Sequence, residues 1–139
     1  MTELKISLDA GARMPERAHD TDAGLDLFSP EMVVIPARGS AVINTGVHLG
    51  IPEGWCGLLV AKSGLNVKHG ILSTGLIDAS YTGAVVAKLY NDGDEDYTVE
   101  LGDKITQLVL LPCATPKLVC VGSLENTERG NNGFGSTGR

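Results

Sequence analysis

The chain has 139 residues, 42% of them hydrophobic, and a formal net charge of -6. That length makes one domain able to bury its own core, and the acidic balance excludes non-specific binding to nucleic-acid polymers, which needs clustered Lys and Arg. Three cysteines without a C-x-x-C pair exclude a disulfide framework and a zinc knuckle, and apolar runs such as 108–111 are far shorter than a membrane span, so a cytoplasmic location is the expectation.

In chain order, short Val- and Ile-rich runs punctuated by Gly, Pro, Asn and Asp predict strands over 4–8, 32–35, 41–49, 57–61, 84–90, 97–101, 105–111 and 117–121. One helical turn is predicted from Ser63, a good N-cap residue, through Lys68 to a stop at Gly70. No twelve-residue window carries a convincing 3.6 period, and the spacing leaves no room for the crossover helices of a parallel sheet. The fold class is therefore all-β, a sandwich or jelly roll. With two Phe, one Trp and three Tyr the core is mostly aliphatic, and other subunits can complete its apolar surface. The division is a core over 1–122 and a glycine-rich arm over 123–139.

The chemistry-bearing residues fall at the breaks between these elements. In DAGLDL (22–27) a loop aspartate, Asp26, either forms a turn or attracts magnesium through water. In KSGL (62–65) a lysine, a hydroxyl and free backbone N–H groups make either an anion site or a plain strand-to-helix cap. In GLIDASYTG (75–83) Asp78 and Tyr81 share one hairpin bend. A carboxylate there can order or deprotonate a water beside a ring that bounds the pocket, or the pair can simply cap and cover the turn. In GDKITQL (102–108) a turn precedes Gln107, which needs a partner if buried. The tail, RGNNGFGSTG (129–138), combines mobile glycines, one ring, Arg129 and the Ser136 and Thr137 hydroxyls. That composition suits a nucleotide's phosphates and base, and it equally suits a disordered terminus. The separated His19, His48 and His69 read as surface or packing residues, and the cysteines as packing.

The order and spacing of these five segments resemble the five sequence motifs of the trimeric dUTPases, and the resemblance spans most of the chain. It implies a distorted β-jelly-roll homotrimer whose active sites lie between subunits, each closed by the C-terminal arm of another subunit. The implied reaction is dUTP plus water to dUMP plus pyrophosphate, which keeps uracil out of DNA and supplies dUMP for thymidylate synthesis. Asp78 would activate the water for in-line attack on the α-phosphorus, and Tyr81 would pack on the deoxyribose. The hairpin from Gly75 through Ile77 would read uracil through backbone groups, and Phe134, with Gly135 beside it, would stack over the base. Lys62, Ser63, Gly64 and Gln107 would face the phosphate chain, and Arg129, Ser136 and Thr137 its γ end. Mg²⁺ would be carried by the phosphates, with Asp26 reaching it through water. Lys62 stands where the family more often has arginine. Thr82 and Ala84 replace the arginine and the acidic or amide residue common in the third motif. The nearest alternative is a dCTP deaminase of the same fold, but Ala84 occupies the place of its proton-shuttling glutamate. A second alternative is a dUTPase-like regulatory module whose acidic segment, 91–100, meets a protein partner.

Overall fold

The computed structural model describes residues 1–138; Arg139, the last residue of the expected arm, lies outside them. Nine strands and one helix follow in the order β1 Lys5–Leu8, β2 Gly24–Phe28, β3 Val33–Ile35, β4 Ser40–Gly50, β5 Trp55–Val60, α1 Ser63–His69, β6 Ile71–Ile77, β7 Ala84–Asn91, β8 Tyr97–Val99 and β9 Lys104–Pro112. Seven strands form one curled antiparallel sheet in the order β1-β4-β7-β6-β5-β9-β2, and β3 pairs with β8 in a second ribbon. The all-β jelly-roll expectation holds.

Alternation explains the long strands. Along β7, Val85, Ala87, Leu89 and Asn91 point inward while Val86, Lys88 and Tyr90 face out, the period of a half-buried strand. β6 closes the curl: its first half, Ile71 to Ser73, pairs with β7, and its second half, Thr74 to Ile77, pairs with β5. Changing partners in mid-strand bends the sheet around two aliphatic clusters. One contains Leu27, Val47, Leu49, Leu59, Ile77, Val85 and Leu108, and the other Ile35, Ile43, Ile71, Leu89, Val99 and Ile105. At the change of partner Ser73 meets Thr106 at 2.8 Å, and the Thr106 hydroxyl donates to the Val60 carbonyl at 3.0 Å, so the buried hydroxyls are satisfied.

Four details correct the sequence reading. β2 is a strand where a loop motif was expected, and β6 was not expected at all. The helix has Lys62, not Ser63, at its N-cap, with no side-chain cap bond; Gly70 ends it in the left-handed conformation at φ 68°. No strand forms over 117–121: Leu118 and Val119 are exposed, and the last strand stops at Pro112. A strand needs a neighbour to pair with, and none within the chain reaches this segment.

Candidate active site

The first, second and fourth motifs converge through strand register. β9 lies between β2 and β5, and Gln107 is the register partner of both Asp26 and Val60. Lys62, just beyond β5, reaches Asp26 Oδ1 at 2.5 Å, and Lys104 Nζ lies 2.8 Å from Asp26 Oδ2. The Lys104 contact is off the line of a hydrogen bond, so Oδ2 has a charge beside it but no aligned donor. Burial of Asp26, 3% exposed, pushes its carboxyl up, and the ammoniums of Lys104 and Lys62 together outweigh this and hold it below the usual range. Gln107 donates to the Ala61 carbonyl at 3.0 Å, the partner that a half-buried amide requires. A cavity of about 360 Å³ opens between these residues, lined by Asp22, Gly24, Asp26, Lys62 and Gln107. Ser63 and Gly64, in the exposed first turn of α1, follow Lys62 in the chain but do not line this cavity.

The third motif is the hairpin between β6 and β7. The Tyr81 amide donates to the Asp78 carbonyl at 3.0 Å, closing the bend, and the Tyr81 hydroxyl donates to the Ala84 carbonyl at 2.8 Å. Glycine at position 83 lets the ring lie flat, because a Cβ there would come 2.5 Å from the Tyr81 hydroxyl. Asp78 is exposed and lines a cavity of about 550 Å³ with Glu53, Trp55, Cys56, Ser80 and Cys113. Gly75 is half-buried on β6, and the Ile77 side chain belongs to the core, so that only their backbone groups can face a ligand.

The tail folds on itself in turns. Arg129 donates to the Asn132 carbonyl at 2.9 Å, and the Ser136 amide donates to the Gly133 carbonyl at 3.1 Å. Arg129, Ser136 and Thr137 line one cavity of about 480 Å³, while Phe134 is fully exposed and has a positive φ of 36° beside Gly135.

Asp26, Lys62 and Gln107 thus meet at one cavity and Arg129, Ser136 and Thr137 at another, whereas Tyr81 does not line the cavity of Asp78 and Phe134 does not line that of the tail, and the three cavities share no residue. Lys104 is the site residue that the sequence reading missed. Counting along a regular strand puts positions 104 and 107 on opposite faces, and it is the irregularity at Leu27/Phe28 in the β2–β9 pairing that changes this. Among the described residues no group of three or more His, Cys, Asp or Glu could hold a metal. The carboxylates of the cavity, Asp22 and Asp26, are too few for a protein-held ion, and Asp26 is engaged by Lys62 and Lys104, so a metal here would keep its own waters and rely on other ligands.

Known proteins align with this chain over nearly its whole length. The dUTPase family profile covers residues 10–138. The chain is 45% identical over 142 residues to the deoxyuridine 5'-triphosphate nucleotidohydrolase of Clostridium acetobutylicum, covering 99% of this chain and 98% of that one. It is 43% identical over 140 residues to that of Paramecium bursaria Chlorella virus 1, covering 99% of each. The structure superposes on the Staphylococcus bacteriophage 80alpha dUTPase with dUPNHPP at a TM-score of 0.93, with 38% identity and 100% of both chains covered. A mutant dUTPase from phage phi11 of S. aureus, described as coordinating a structural Mg(II) ion, matches at a TM-score of 0.83 and 36% identity, over 89% of this chain and 99% of that one. The chain belongs to the dUTPase family.

Proposed function

We infer that this protein is a dUTP diphosphatase, hydrolysing dUTP to dUMP and pyrophosphate. The observation that carries the reading is the full-length match, tail included, to a dUTPase structure with dUPNHPP. The alternative of a dCTP deaminase has no glutamate at Ala84 to move its protons.

Asp78 takes a proton from a water that attacks the α-phosphorus in line, and no covalent intermediate is needed. Tyr81 packs on the sugar, where its ring leaves no room for a 2′-hydroxyl. The backbone of the hairpin from Gly75 through Ile77 reads the uracil edge, and an analogue presenting the wrong donors leaves buried groups unpaired. Lys62, Ser63, Gly64 and Gln107 hold the phosphate chain. For Lys62 this means turning from Asp26 to the incoming anion. The arm over 123–139 closes the site, with Phe134 and Gly135 over the base and Arg129, Ser136 and Thr137 at the γ-phosphate, and so excludes bulk water. Asp26 would hold Mg²⁺ through water, and the ion would supply neutralisation of charge on the leaving pyrophosphate.

The separation of the three cavities within one chain supports assembly as a homotrimer, in which one copy's hairpin meets another copy's Asp26–Lys62 cavity beneath a third copy's arm. No described helix is long and apolar enough to cross a membrane, and the acidic chain suits a cytoplasmic enzyme acting on free nucleotide. The acidic segment over 91–100 is the place for any regulatory protein partner. Pyrophosphate release from dUTP, dCTP, dTTP and UTP with Mg²⁺ tests the activity. Turnover selective for dUTP and at least about a hundredfold weaker in Asp78→Asn is the expected result. Undiminished turnover in that variant removes Asp78 as the base.

A further inference from the structure

His48 lies on β4 at the point where the hairpin of Asp78 and Tyr81 returns to the sheet. β4 and β7 pair regularly from Ser40 to Asn44, then slip, and pairing resumes with His48 opposite Ala84. Within the slip the Asn44 side chain accepts from the Gly46 amide at 2.9 Å, and the Asp9 amide donates to the Gly46 carbonyl at 2.8 Å. Gly46 has φ 67°, and a Cβ there would come 2.8 Å from that of Ala12. The irregularity thus seats Asp9 beside His48.

The imidazole is held at both nitrogens by acceptors. Nδ1 is 2.8 Å from the Thr82 carbonyl, and Nε2 is 3.0 Å from Asp9 Oδ1. A neutral imidazole has one N–H and satisfies one of these; only the imidazolium donates to both. The Thr82 carbonyl and then the Asp9 carboxylate hold its pKa above the ordinary value, against a small effect of burial. In the groove that His48 lines with Ile6, Ser7, Leu49, Gly50 and Thr82, Lys5 is the other charged side chain, and its charge opposes protonation. Thr82 follows Tyr81 directly, so this bridge pins the limb of the hairpin that carries the sugar-packing ring to strands β1 and β4.

We propose that His48, protonated between Asp9 and the Thr82 carbonyl, is a positioning residue that clamps the Tyr81 hairpin in its substrate-holding form and loosens it as pH rises. The clamp acts on substrate binding rather than on the attacking water, because it holds Thr82, next to Tyr81, and does not bond to Asp78. It rests on the dUTP-hydrolysing reading for its kinetic consequence, but the clamp itself exists in the free protein. The sign follows from the raised folded value. The clamp is complete below about pH 6.5, the ordinary histidine value, and is lost as pH rises through the folded one.

The test combines steady-state dUTP kinetics across this range with NMR titration of His48 and amide exchange of residues 81–83 in the ligand-free protein. The wild type is expected to show KM rising about fivefold as His48 deprotonates, with kcat little changed, as expected for loss of one hydrogen bond. His48→Gln, with one amide donor group facing two acceptors, is expected to hold the high KM at every pH. Asp9→Asn is the decisive variant: its amide donates to Nε2, so a neutral imidazole then bridges both sides, and KM should stay low and flat. A rise shared by the wild type and Asp9→Asn belongs to the titrating phosphate of the substrate and overturns the proposal. So does hairpin exchange that ignores the His48 titration. Absence of dUTP turnover with exchange still tracking His48 would instead remove the activity and keep the clamp.

Discussion

Lys62 Nζ and Asp26 Oδ1 are 2.5 Å apart, an ion pair joining the first and second motifs within one chain. The lysine is therefore already engaged before any anion arrives, and in the proposed function it would exchange one anionic partner for another. Lys62→Ala is expected to raise KM for dUTP about tenfold, the effect of one charge-assisted hydrogen bond, with kcat changed less. Initial-rate measurements over a range of dUTP concentrations check this.

Asp26→Asn leaves Lys62 and Lys104 without their counter-charge. With Asp26 buried and the lysines partly exposed, a loss of about 2 kcal/mol at neutral pH is expected. Because the folded carboxyl titrates below its ordinary value, the stability that it contributes is fully present above about pH 4 and is lost as pH falls through the folded value. Denaturant unfolding at several acidic pH values should therefore show a shallower loss in Asp26→Asn than in the wild type.

Gly83→Ala places a Cβ against the Tyr81 ring. The ring must leave its position and give up the hydrogen bond to Ala84, at a cost of about 1 kcal/mol of stability. If Tyr81 packs on the sugar as proposed, the preference for dUTP over UTP should fall. Competition between the two nucleotides in one reaction measures this directly.

A chain ending at Gly122 retains every strand and both aliphatic clusters, since β9 ends at Pro112. It is expected to keep its circular dichroism and its oligomeric mass, with dUTP turnover at least about a hundredfold lower if the arm closes over the γ-phosphate as proposed. Phe134→Ala alone should cost about tenfold in KM, the size of one base stack.

Much of this was legible in the sequence, and the gaps have physical causes. The periodic strands β4, β7 and β9 match the expected runs to within two residues, because alternation on a half-buried surface is a local signal. β6 escaped because Ser73 and Gly75 occupy inward positions between Ile71 and Ile77 while Leu72 and Leu76 face outward, so that apolar residues do not mark its buried face. The run over 117–121 was read as a strand from its valines and leucine, yet pairing, not composition, makes a strand. Asp78 and Tyr81 were placed together because four positions of one turn bring them together. The pairing of Asp26 with Lys62 and Lys104 depends on β9 lying between β2 and β5, which no local pattern encodes. His48 likewise has partners from two distant segments and reads in the sequence only as a surface or packing residue.

Trp55, half-buried at the start of β5, lines the same cavity as Asp78, and the chain contains no other tryptophan. All indole fluorescence of the protein therefore originates at that cavity wall, each copy of the chain contributing one emitter. The protein carries its own optical probe, which needs no label and reports solvent polarity beside Asp78 without interference from any other part of the fold.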